Sequence, residues 1–86
     1  MDRNEIHSKL LALLTGVAPD IDPDSVDPVR NLRDQFDFDS MDALHFAVAV
    51  SETFGIEIAE TDAAALANLQ SAEHFVEQRL LSKEHT

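Results

Sequence analysis

The residues best placed to do chemistry are Asp39-Ser40-Met41-Asp42, where one hydroxyl stands between two carboxylates. They fall where a stretch of turn-forming residues gives way to an apolar repeat with helical spacing. Ser or Asp at such a position is first of all an N-cap, and Asp39 and Ser40 can both fill that role. Asp42 then sits in the first turn, where the helix dipole favours a carboxylate. The position has a second use. A helix start leaves backbone N–H groups free and attracts phosphate, so an exposed serine there is well placed to bear a phosphodiester. No histidine or lysine sits beside Ser40 in sequence to serve as base, so it is not a self-activated nucleophile.

The remaining constellations are weaker. Asp20-x-Asp22-x-Asp24 copies the first three ligand positions of a calcium loop. Ser25 and Asn31 stand where that loop needs its glycine and its closing glutamate, so no calcium site is expected. His7, His45, His74 and His85 are scattered, with no second ligand at metal-binding spacing on one helix face. Arg30 and Arg33 form a small basic island in an acidic stretch and read as local charge balance. The chain has no cysteine, hence no thiolate ligand, disulfide or cysteine nucleophile. Neither catalytic residues nor a metal site are expected.

The elements that must position Ser40 follow from periodicity. Ile6, Leu10, Leu13 and Leu14 predict a helix over 4–15, started by Asp2 or Asn4 and ended by Gly16. Residues 17–39 read as a long connection marked by Pro19, Pro23 and Pro28. Val17, Ile21, Val26, Leu32 and Phe36 pin it to the core, with a helical turn near 29–34. Ala43, Phe46, Ala47, Val50 and Phe54 predict the strongest helix, 40–54, closed by Gly55. Met41, Leu44 and Val48 form a second apolar stripe, offset from that core line, and a helix apolar on two faces is either deeply buried or docks something. Ile56-Glu57-Ile58 reads as an extended link. Thr61-Asp62 predicts a short helix through 66, and Ser71 caps a last helix over 72–81. Residues 83–86 are expected to fray. The fold class is therefore all-α: a four-helix bundle of three longer helices and one short one, with a long loop between the first two.

Length and charge bound the function. Eighty-six residues make one domain, 1–86, with a small core. Seventeen acidic residues against six basic ones give a net charge of −11. Such a surface repels phosphate backbones and anionic lipid, so no nucleic acid and no membrane insertion are expected, whereas basic protein surfaces are attracted. The start of the chain lacks signal-peptide features, and a cytoplasmic monomer is expected.

Asp39-Ser40-Met41 resembles the Asp-Ser-Leu/Met attachment motif of acyl carrier proteins and the related peptidyl carrier domains. The likeness extends over nearly the whole chain: the leucines of the first helix, the proline-marked acidic loop, and Phe54-Gly55-Ile56-Glu57-Ile58, which is similar to the sequence following the second helix in many members. The resemblance implies that the chain is no enzyme. It implies 4′-phosphopantetheine, taken from coenzyme A by a phosphopantetheinyl transferase and joined to Ser40, with Asp39 as the motif acid that helps engage the transferase. The arm would carry acyl or aminoacyl groups between activating, condensing or transferase enzymes of fatty-acid, polyketide or related biosynthesis. Docking would fall to Met41, Asp42, Leu44, His45, Val48 and Glu52. Phe38, Asp37, His45, Ser51 and Ala59 depart from the family's usual choices, which leaves a specialised stand-alone carrier as open a reading as the housekeeping fatty-acid carrier. The competing reading of the same residues is an unmodified acidic helical module that docks a partner through Met41, Leu44 and Val48.

Overall fold

The structure is a computed structural model that describes residues 2–84. Its α-helices are α1 (Arg3–Val17), α2 (Leu32–Gln35), α3 (Ser40–Phe54) and α4 (Leu69–Glu84). Two 3₁₀ segments, Pro23–Ser25 and Glu60–Leu66, lie between them. All regular structure among the described residues is helical, and the fold is all-α. The helix α1 packs against both α3 and α4, and Glu60–Leu66 bridges α3 and α4.

The apolar repeats meet in one core. Ile6, Leu10 and Leu14 of α1 are fully buried. Phe46, Val50 and Phe54 of α3 face them, and Leu69, Ala72 and Val76 of α4 complete the layer. Each large side chain so buried stabilises the fold by about 1.5–3 kcal/mol before entropy is counted.

The elements differ from expectation mainly at their ends. The helix α1 does not stop at Gly16, which lies inside its last turn; Asp2 caps its start through Glu5 N–H at 2.9 Å, and its end comes at Ala18. Ala18 precedes Pro19, and the proline ring disfavours helical geometry in the residue before it. The last helix begins at Leu69 rather than after Ser71. Asn68 is its cap, accepting from Ser71 N–H at 2.8 Å, while the Ser71 hydroxyl turns back to the Ala65 carbonyl at 2.6 Å. This start brings the buried Leu69 onto the core stripe. The short helix is a 3₁₀ segment, and Thr61 does not cap it. Asp62 reaches back to Ala59 N–H at 3.0 Å and is itself held by Arg79 at 3.2 Å. Lys83, expected to fray, remains helical and donates to the Gly55 carbonyl at 2.8 Å. His85 and Thr86 lie outside the described residues.

The long connection is ordered by its own polar groups. Ile21 and Leu32 are buried, and Val26 and Phe36 pack against the core. The Gln35 amide donates to the carbonyls of Asp27 and Arg30, both at 2.9 Å, and its oxygen accepts from Asp27 N–H. The helical turn expected near 29–34 is α2, started by Asn31, whose Oδ1 accepts from Arg33 N–H at 2.9 Å. Backbone bonds from Leu32 to Ala67 and from Gln70 to Pro28, both 2.8 Å, tie the connection to the far side of the bundle. This frame fixes the approach to α3.

Candidate functional site

The start of α3 is defined by a capping box. Asp39 is the N-cap: its Oδ1 accepts from Asp42 N–H at 2.9 Å, and Asp42 Oδ2 lies 3.4 Å from Asp39 N–H in return. Two of the free donors of the helix start are thereby engaged. Ser40 is the first helical residue, and it is exposed. Its hydroxyl makes no hydrogen bond among the described residues, to a histidine, a lysine or any other group. Of the two candidate caps, the aspartate caps and the serine is left unengaged.

The other end of α3 is equally well defined. Gly55 adopts φ 64°, the left-handed conformation that ends a helix and that glycine enters without penalty. The Ser51 hydroxyl donates to the Ile56 carbonyl at 2.6 Å, turning the chain back toward the core.

Ser40 borders a cavity of about 530 Å³ between α3 and Glu60–Leu66. Ala43, Leu44 and Ala47 form one wall, and Ile58, Ala63 and Ala64 the other. Phe38 also lines it. Its ring is buried and meets Phe46 edge to face, with centroids 6.2 Å apart. Asn31, Arg33 and Glu60 are polar members of the lining. In the sequence Arg33 reads only as local charge balance, and neither Asn31, Glu60 nor the small side chains opposite stand out as a site. The run Ala63-Ala64-Ala65 was their only trace in the sequence.

The second stripe of α3 is on the surface. Met41 is 58%, Leu44 56% and Val48 48% exposed, against 1% for Phe46 and 0% for Val50 on the core face. His45 and Glu52 are exposed on the same helix, while Asp42 is half-buried by its part in the cap. The other histidines lie elsewhere: His7 pairs with the buried Glu73, and His74 is exposed. Asp22 serves as a local cap, accepting from Asp24 N–H and the Ser25 hydroxyl. No group of three potential metal ligands occurs among the described residues. No described helix is long and apolar enough to cross a membrane.

Residues 8–76 match the family described as the phosphopantetheine attachment site. The acyl carrier protein of Thermosynechococcus vestitus is 28% identical over 80 residues, which cover 93% of this chain and 98% of that protein. An acyl carrier protein of Solidesulfovibrio magneticus is 32% identical over 59 residues, covering 69% of this chain and 76% of the other. The mitochondrial acyl carrier protein 2 of Arabidopsis thaliana is 26% identical over 76 residues; these cover 88% of this chain but only 60% of that longer protein. The matched span takes in α3, its capping box and the wall of the cavity. The chain belongs to the acyl carrier, phosphopantetheine-attachment family, whose members carry covalently attached 4′-phosphopantetheine and are not themselves catalysts.

Proposed function

We propose that the protein is an acyl carrier whose 4′-phosphopantetheine is joined to Ser40. The observation that carries this reading is the unengaged, exposed Ser40 hydroxyl at the start of α3, on the rim of an apolar cavity. When bound, the group supplies a terminal thiol that holds an acyl or aminoacyl unit as a thioester. The chain has no thiol of its own to compete with it.

The chain's residues would divide the remaining work. Ser40 supplies the ester oxygen, and the helix start turns free backbone N–H groups toward the new phosphate. Asp39 holds the cap and presents a carboxylate to a phosphopantetheinyl transferase, which must bring the base because none stands at Ser40. Met41, Leu44 and Val48 form the docking stripe for that transferase and for activating, condensing or transferase enzymes, with His45 and Glu52 beside them and Asp42 at its edge. The cavity lies in the range of about 300–1,000 Å³ usual for small-ligand sites, and its lining suits an acyl group. The cytoplasmic setting expected in the sequence belongs to this proposal; two relatives, from Arabidopsis thaliana and Neurospora crassa, are mitochondrial by name.

Incubation with coenzyme A and a broad-specificity transferase should add the mass of one phosphopantetheine group, and Ser40→Ala should abolish the gain. A wild-type protein left unmodified by several transferases would remove the basis of the reading.

A further inference from the structure

We propose that Arg33 is an anion-binding residue for the loaded arm: its guanidinium holds a negatively charged group of that arm at the cavity which Arg33 and Ser40 both line. The proposal rests on the Ser40 reading and extends it.

The distribution of cations carries the inference. Arg3 pairs with Glu77 at 3.1 Å and Arg79 with Asp62 at 3.2 Å. Arg30 donates to the Asp34 carbonyl at 3.0 Å, and Lys83 to that of Gly55. The Arg33 guanidinium has neither an ion pair nor a hydrogen bond among the described residues. Local charge balance would have paired it with its sequence neighbour Asp34, or with Glu60, which lines the same cavity, and it pairs with neither. Lys9 is also without such a contact, but it lies on α1 and does not line the cavity. In a chain with seventeen carboxylates, the guanidinium with neither an ion pair nor a hydrogen bond is thus, among the described residues, the one cation lining the cavity that Ser40 borders.

Loading supplies what that guanidinium lacks. A phosphodiester on Ser40 Oγ places a negative charge one residue from Asp39 and two from Asp42 in the chain, on the cavity shared with Glu60. That repulsion is relieved by a cation at the same cavity. A guanidinium fork matches phosphate and carboxylate oxygens in pairs, and an apolar lining strengthens the attraction over its value in open water. Asn31 adds a donor: its Oδ1 is taken by Arg33 N–H, leaving the amide NH₂ for the cavity. The anion has two sources within the loaded arm, the phosphodiester itself and a carboxylate carried by the cargo.

The test follows the Arg33 Nε–H resonance in the unmodified protein, in the protein loaded from coenzyme A, and after acylation with a neutral or a dicarboxylic acyl group. Phosphorus-31 spectra of the loaded wild type and Arg33→Gln form the second readout. The expected result is a downfield move of the Arg33 signal on loading, and a displaced phosphorus resonance in Arg33→Gln with an unchanged urea midpoint. A move of the Arg33 signal only with the dicarboxylic group assigns the anion to the cargo and also supports the proposal. An Arg33 signal fixed in all four states, with identical phosphorus spectra, overturns the Arg33 proposal while leaving Ser40 in place. Absence of any mass gain in the wild type overturns both.

Discussion

A helix start needs a side-chain acceptor for its free N–H groups, and an attachment site needs a hydroxyl that nothing else occupies. Asp39 meets the first need and leaves the Ser40 hydroxyl unengaged, as the proposed attachment requires. Replacing Asp39 by alanine should therefore destabilise the fold by about 0.5–2 kcal/mol. Asn retains the acceptor, so Asp39→Asn should melt in urea close to wild type yet load more slowly with phosphopantetheine. Equal melts for the two variants would remove the cap from Asp39. The pair was legible in the sequence because its logic is local: both residues are adjacent and stand at the edge of a periodic run. Arg33 was not. Its relation to Ser40 exists only through a cavity whose opposite wall is built by residues from Ile58 onward, and no local pattern encodes that meeting.

The helix α3 has two apolar faces with different fates, and substitution separates them. Phe46→Ala and Phe54→Ala should each cost about 3–5 kcal/mol, as expected for buried aromatic truncation. Met41→Ala and Leu44→Ala should leave the urea midpoint almost unchanged and slow turnover with partner enzymes. The reverse order in the melts would invert the facing of α3. This division was readable from spacing alone, because Phe46, Val50 and Phe54 keep one helical line and Met41, Leu44 and Val48 another. The boundaries were less readable. Gly16 and Ser71 are both residue types that mark helix ends, but neither was used. Pro19 sets the end of α1 by restricting Ala18, and Leu69 needs a place on the core stripe that only an Asn68 cap provides. Propensity names candidates for a cap, and tertiary packing chooses among them.

The whole molecule measures 38 × 26 × 20 Å and carries a net charge of −11. At about 0.01 M salt the screening length is roughly 30 Å, so carboxylates on opposite sides still repel; at about 0.1 M it is roughly 10 Å and they do not. The melting temperature should accordingly rise between those salt concentrations, by a few degrees if about 1 kcal/mol of repulsion is relieved. A flat or falling curve would mean that the Arg3–Glu77 and Arg79–Asp62 pairs outweigh the repulsion. The same division at the start of α3 reaches beyond the single chain. Because Asp39, not Ser40, secures the helix, a Ser40→Ala chain should stay folded, and on the proposed reading it keeps the docking stripe while losing the cargo site. Produced in excess beside the wild type, such a chain should then act as a decoy that occupies the same enzymes, delivers nothing, and inhibits by competition rather than by loss of its own function.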